Sequence, residues 1–233
     1  MYGVTARDAS IPGTITWLAG ALALAAVLTA GQVSATDQPA PPAAAARPTP
    51  LYEPTGFGTA KFGMSLAEVW KMYPQARLLG EKETLGAAAV GGPYIDRLVL
   101  RNQPVPGFAK PTTVELRFWK DQLWGVVVFF GDNDPEQCKA YLARTFGPST
   151  ARDLDNPVWL GEKVSSTGTY KEHWYGYTDI AMSREAGAWL KTVMNGTWKG
   201  ETPEEKAARE KRMAALTPNP GKTAPGTPST GAH

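Results

Sequence analysis

One cysteine and two histidines are all that 233 residues offer of the side chains most used for covalent catalysis and zinc binding. With Cys138 alone, no internal disulfide can form. His173 and the terminal His233 give an imidazole-based triad or a histidine-rich metal site little to be built from. Cys138 and His173 remain as a conceivable nucleophile and base, but the spacing places Cys138 on the apolar face of a helix, where a thiol is expected to be inert. Net charge is small too: Lys+Arg 24 against Asp+Glu 22 leaves +2, and no run of basic residues forms a patch, so a nucleic-acid partner is not expected. Asp132-Asn133-Asp134 starts like a calcium loop, yet Gln137 and Ala143 occupy the positions that need Gly and Glu. The expectation is a protein without metal or cofactor and without a catalytic residue.

What is present is strongly segmented. Arg7 precedes an uncharged run from Ser10 to Thr36, and Ile15 to Ala30 is almost wholly apolar. Val33-Ser34-Ala35 sets small residues at the −3 and −1 positions of a signal peptidase site, which predicts a signal peptide over 1–35 cleaved between Ala35 and Thr36. An uncleaved inner-membrane anchor is the alternative, because the run approaches the ~20 apolar residues of a membrane span. No cysteine stands near the cleavage point, which removes a lipoprotein reading. Either way the mature chain is expected to be exported, periplasmic or secreted, with membrane contact only through that segment if it is retained.

Residues 36–54 are a linker of alanine and proline, an extended and semi-rigid tether. At the other end, 201–233, Thr202-Pro203-Glu204-Glu205 predicts a capping box with proline at the first helical position, opening a short charged helix to about Leu216. Proline, glycine and threonine beyond it predict disorder.

Between the flanks, Ser65 and Glu68 form a capping box, with Met64 and Val69 spaced as a hydrophobic staple. Leu66, Val69, Trp70 and Tyr73 then recur at helical spacing until Pro74 stops the run. Strands are predicted at 76–80, 95–101, 113–120 and 123–130. A second helix follows with Asp134 as N-cap, Pro135 at the first position, Gln137 completing the box, and Cys138, Tyr141, Leu142, Thr145 and Phe146 on its buried face. Further strands are predicted at 158–164, 170–175, 177–183 and 189–194. A helix then strands, twice, predicts an α+β fold of two related units, 55–130 and 131–200, with antiparallel strands and the helices on one face of the sheet. Units of about 70 residues are marginal alone, which predicts that they pair edge to edge or pack into one body.

In Thr113–Lys120, Val114, Leu116 and Phe118 alternate with polar residues and Trp119, whereas Leu123–Phe130 is apolar on both sides. A turn at Asp121-Gln122 would place Trp119 opposite Trp124, away from Val114, with Val126, Val128 and Phe130 continuing that second side. That side is read either as core or as an apolar sheet face for a partner. The candidate partner surface is Trp119, Trp124, Val126 and Val128, together with His173, Tyr175 and Tyr177 of the second unit.

Gly63-Met64-Ser65-Leu66-Ala67-Glu68-Val69 resembles the Gly-Met-Ser/Thr-x-x-Glu-Val helix start of small exported bacterial α+β modules, among them outer-membrane assembly lipoproteins and tandem-repeat beta-lactamase inhibitor proteins. Trp174-Tyr175-Gly176-Tyr177-Thr178-Asp179-Ile180 resembles a Trp-x-Gly hairpin with a following Thr-x-Ile found downstream in such domains. The chain departs from them in lacking the lipid-attachment cysteine and, at the second helix, the Gly-Met pair. The resemblance implies non-enzymatic docking on an envelope protein through a sheet face. Two alternatives stand beside it: a carbohydrate- or peptidoglycan-binding protein using exposed aromatics, and an envelope enzyme.

Overall fold

A computed structural model describes residues 50–79, 94–151, 153 and 155–216. The predicted signal peptide, most of the predicted linker and the predicted disordered C-terminal tail lie outside the described residues. The chain divides into a body ending at Trp198 and a C-terminal segment starting at Lys199.

The body is α+β. A small β1–β2 hairpin (Gly56–Phe57, Ala60–Lys61) leads into helix α1 (Leu66–Met72). Strands β3 (Arg77–Leu78), β4 (Ile95–Gln103), β5 (Thr112–Trp119) and β6 (Gln122–Phe129) follow, then helix α2 (Pro135–Phe146). Strands β7 (Val158–Leu160), β8 (Val164–Thr169) and β9 (Trp174–Asp179) lead into helix α3 (Ile180–Met194). The seven longer-range strands form one antiparallel sheet in the order β3-β4-β5-β6-β9-β8-β7. Two meanders thus meet edge to edge where β6 pairs with β9.

Local chemistry accounts for the helix starts. At α1, Glu68 N donates to Ser65 Oγ (3.3 Å) and Ser65 N donates to Glu68 Oε2 (2.8 Å), a complete capping box. Asp121 reaches in from the β5–β6 turn and accepts from Leu66 N at 3.3 Å, satisfying another orphan donor. At α2, Asp134 caps and Pro135 stands at the first position as expected, but the cap is a single bond from Glu136 N (3.0 Å) rather than a box closed by Gln137. In the C-terminal segment, α4 (Pro203–Leu216) opens on the predicted Thr202–Glu205 box, with both reciprocal bonds formed.

The strands of the second half differ from the sequence reading. Residues 170–173 are the β8–β9 turn, and the chain leaves the sheet at Asp179, whose carboxylate accepts from Met182 N (2.9 Å) and caps α3. The predicted strand at 189–194 is the last turn and a half of that helix. Met182, Ala186 and Trp189 recur at i, i+4 and i+7, and this helical stripe overrides the β-branched Thr192 and Val193.

Each sheet face has its own cover. Val114, Leu116 and Phe118 share a face with Leu98, Leu100, Tyr175 and Tyr177. On it, Phe146 of α2 meets Trp159 (5.1 Å) and Tyr175 (6.4 Å), and Phe62, ahead of α1, meets Tyr177 (6.2 Å). Leu66, Val69, Cys138 and Leu142 are buried. The opposite face carries Trp119 and Trp124 under α3, with Ala186 buried against them and Tyr94, Ile95, Met182 and Trp189 at the margin. Helices therefore occupy both faces, not one. No helix among the described residues is long and apolar enough to cross a membrane.

The hairpin register explains a second difference. The turn is Lys120-Asp121, both at positive φ (47° and 70°), so Trp119 pairs with Gln122. Alternation from Gln122 keeps Trp124 on the Trp119 face, and a bulge there adds one residue to the strand. The same extra residue sends Val126 and Val128 to the other face, opposite Leu116 and Val114.

Candidate functional site: a strap across the Tyr175–Tyr177 face

The surface expected from sequence is mostly interior. Trp119 and Trp124 lie beneath α3; Val126, Val128, Tyr175 and Tyr177 are buried on the other face, so the two groups share no surface. Burial raises the Tyr175 and Tyr177 phenols well above their ordinary range, aided by neighbouring phenols, and both stay protonated. Only His173 is exposed, at positive φ (57°) in the β8–β9 turn, its ring stacked on Phe130 at 6.3 Å. The chemistry-bearing candidates have structural roles. Burial, then the nearby Asp134 charge, pushes the Cys138 thiol up to about 11, which leaves it protonated and unreactive at neutral pH. Asn133 is buried and ties two loops together: its amide donates to Phe130 O (2.7 Å) and Lys110 O (3.0 Å) and accepts from Lys110 N (2.8 Å).

Two constellations stand out that sequence reasoning did not single out. The first is on the Trp119 face. Glu115 accepts from Arg117 Nε (2.7 Å) and Arg97 Nη1 (3.5 Å), all three side chains being nearly buried, and Arg97 and Arg117 face each other across the ladder. Burial pushes the Glu115 carboxyl up, but the Arg117 and Arg97 charges and hydrogen bonds outweigh it and hold it below the usual range.

The second is the end of the tether. Residues 51–57 cross the Tyr175–Tyr177 face, on which Phe146 of α2 packs, as an extended strap. Leu51 N donates to Phe146 O (3.2 Å), and the Tyr52 ring lies 6.4 Å from Phe146. The Glu53 carboxylate sits on three consecutive amides of the β7–β8 turn: Glu162 N (2.8 Å) to one oxygen, Lys163 N (2.9 Å) and Val164 N (3.0 Å) to the other. Such converging backbone N–H groups form an anion-binding concavity. Gly161 leaves room for it, since a Cβ there would lie 2.3 Å from the Glu53 carboxyl carbon. Pro54 is buried, and the next carbonyls are received by phenols: Tyr177 donates to Gly56 O (3.0 Å) and Tyr73 to Phe57 O (3.1 Å). Tyr177, drawn from sequence as a partner contact, is thus already engaged by the chain's own N-terminal segment. The available signal was Leu51-Tyr52-Glu53-Pro54, an apolar-aromatic-acidic stretch ending an otherwise bland tether; its partner turn lies more than 100 residues away.

Burial pushes the Glu53 carboxyl up, but the three amides together with the Lys163 charge outweigh it and hold it below its ordinary value of 4.5. A carboxyl lowered in the folded state holds its contact above the unfolded value and releases it as pH falls through the folded one. The Glu162, Lys163 and Val164 amide resonances are therefore expected to titrate together with a midpoint below 4.5, and in the Glu53→Gln variant to show no such step. A wild-type midpoint at or above 4.5 would mean that the clasp is not formed in solution.

Among the described residues, no group of three or more His, Cys, Asp or Glu side chains is placed to hold a metal ion. No protein-family profile matches the chain, and a search of curated proteins finds no relative.

Proposed function

We propose that the protein is an exported, non-enzymatic binding or assembly module of the bacterial cell envelope, engaging a protein partner. The apolar export segment and the likeness of Gly63–Val69 to exported α+β modules support the location. The observation that carries the binding reading is the strap. The body already holds an extended peptide by a carboxylate in a ring of amides and by backbone carbonyls on Tyr177 and Tyr73, which is how protein modules hold extended partner segments. The proposed docking region accordingly moves from the Trp119 face, which α3 covers, to the strap side of the Tyr175–Tyr177 face. Leu51 and Tyr52 stand 73% and 54% exposed there, so the strap lies at the surface of that face.

The test is affinity capture of the mature protein from envelope extract, run beside retention on purified peptidoglycan. Capture of a specific protein is the expected result. Retention on peptidoglycan with no specific protein would replace this reading with a carbohydrate-binding one.

A further inference from the structure

The strap is held by two kinds of contact with different sequence requirements. Leu51 N, Gly56 O and Phe57 O are backbone groups that any peptide supplies. The Glu53 carboxylate is the sole side chain of 51–55 with polar bonds to the β7–β8 turn, and those bonds are three. Pro54 adds buried apolar surface and needs no donor of its own. Leu51, Tyr52 and Thr55 are exposed; besides the carboxylate and its proline, the segment is held by Leu51 N donating to Phe146 O (3.2 Å) and by Phe62 N (2.9 Å) and Lys61 Nζ (3.4 Å) donating to Thr55 O and Oγ1. Gly56, the first residue of β1, follows at φ 148°, a conformation open to glycine.

From this geometry we infer that the Gly161–Val164 turn is a carboxylate receptor for a partner protein, whose extended segment carrying an acidic residue followed by proline enters by displacing residues 50–55. The inference rests on the binding-module reading and names its site and ligand chemistry. The receptor is cationic in effect: three N–H dipoles converge, and Lys163 adds a charge. Its resident ligand is tethered, so a free competitor meets an effective concentration in the millimolar range. Wild type should therefore bind such a segment weakly, and a chain with an idle receptor should bind it well.

The probe is a fluorescein-labelled peptide with the sequence of residues 50–55, titrated into the full chain by anisotropy. Glu53→Ala is expected to bind it at least tenfold more tightly than wild type. The peptide with Gln in place of its Glu should lose at least tenfold on Glu53→Ala. Adding Gly161→Ala, which fills the carboxylate seat without backbone strain, should abolish binding. If Glu53→Ala folds poorly, Glu53→Gln serves in its place, with shifts of the Glu162, Lys163 and Val164 amides as the readout. Equal affinity for the Glu and Gln peptides, or indifference to Gly161→Ala, would overturn the receptor. Envelope capture distinguishes the two levels. A captured protein indifferent to Glu53→Ala and Gly161→Ala, with no peptide binding, sinks this inference and leaves the binding module standing. No captured protein sinks the binding-module reading and the partner with it, and peptide effects that persist then mark the turn as a seat for the chain's own strap alone.

Discussion

Replacing Trp119 by Ala is expected to cost about 3–5 kcal/mol, the range for truncating a buried Trp. At roughly 2–4 °C per kcal/mol for a chain of this size, Tm should fall on the order of 10 °C. The ring is 1% exposed and joins three elements: it meets Tyr94 at 5.6 Å, Trp189 of α3 at 5.3 Å, and carries the Lys120 ammonium 5.3 Å from its centre. Losing it opens a cavity between the sheet and the one helix on that face. The Phe variant separates packing from polarity. The Trp119 N–H has no hydrogen bond of normal geometry, although it lies near enough to the Glu185 carboxylate to help lower it, after Lys120. Trp119→Phe should thus keep most of the stability, since it forfeits ring area and no established hydrogen bond. Urea unfolding followed by circular dichroism measures both. An Ala variant within 1 kcal/mol of wild type would mean that α3 does not stay on that face in solution. The sheet face would then be open to a partner after all.

How far the sequence could be read depended on the range of the interaction concerned. The capping boxes at Ser65–Glu68 and Thr202–Glu205 were legible because donor, acceptor and backbone lie within four residues, and both are formed. The α+β class followed from the same local signals. The side of each β6 residue was not legible, because one bulge at Trp124 reverses the parity of everything after it and leaves no mark in an all-apolar strand. Helix α3 was misread in its last third, where Trp-Leu-Lys-Thr-Val-Met fits strand propensity and only the stripe from Met182 onward reveals a helix. The candidate site was the least legible part. Glu53 meets an amide cluster 109–111 residues away, and backbone donors have no residue signature. Glu115 and Arg117 could be placed on the polar side of β5 by alternation, but alternation says nothing of burial, and that polar side turned out to be interior.

That buried charge is the basis of the second large effect. Glu115→Gln is expected to destabilise by about 3–5 kcal/mol at pH 7, the cost of removing one member of a buried ion pair or triad. The reasoning is geometric. Arg97 and Arg117 are direct cross-strand partners, an arrangement that repels when like charges stand opposite, and Glu115 supplies the negative charge accepted by both. Glutamine matches the volume but brings no charge and sets an NH2 where one guanidinium donates, so packing is preserved and the electrostatic part is isolated. The pH dependence carries the signature. Because the Glu115 carboxyl is held below the usual range when folded, its contribution is complete above the unfolded value and declines as pH falls through the folded one. Stability curves of wild type and Glu115→Gln should accordingly lie apart at neutral pH and converge toward acid. A parallel offset at every pH would assign the loss to shape rather than charge. Replacing all three with apolar residues of similar size (Arg97→Met, Glu115→Leu, Arg117→Met) should cost less than Glu115→Gln alone. Removing the whole set takes all three charges out of the layer, whereas removing its centre leaves Arg97 and Arg117 facing each other without the carboxylate between them.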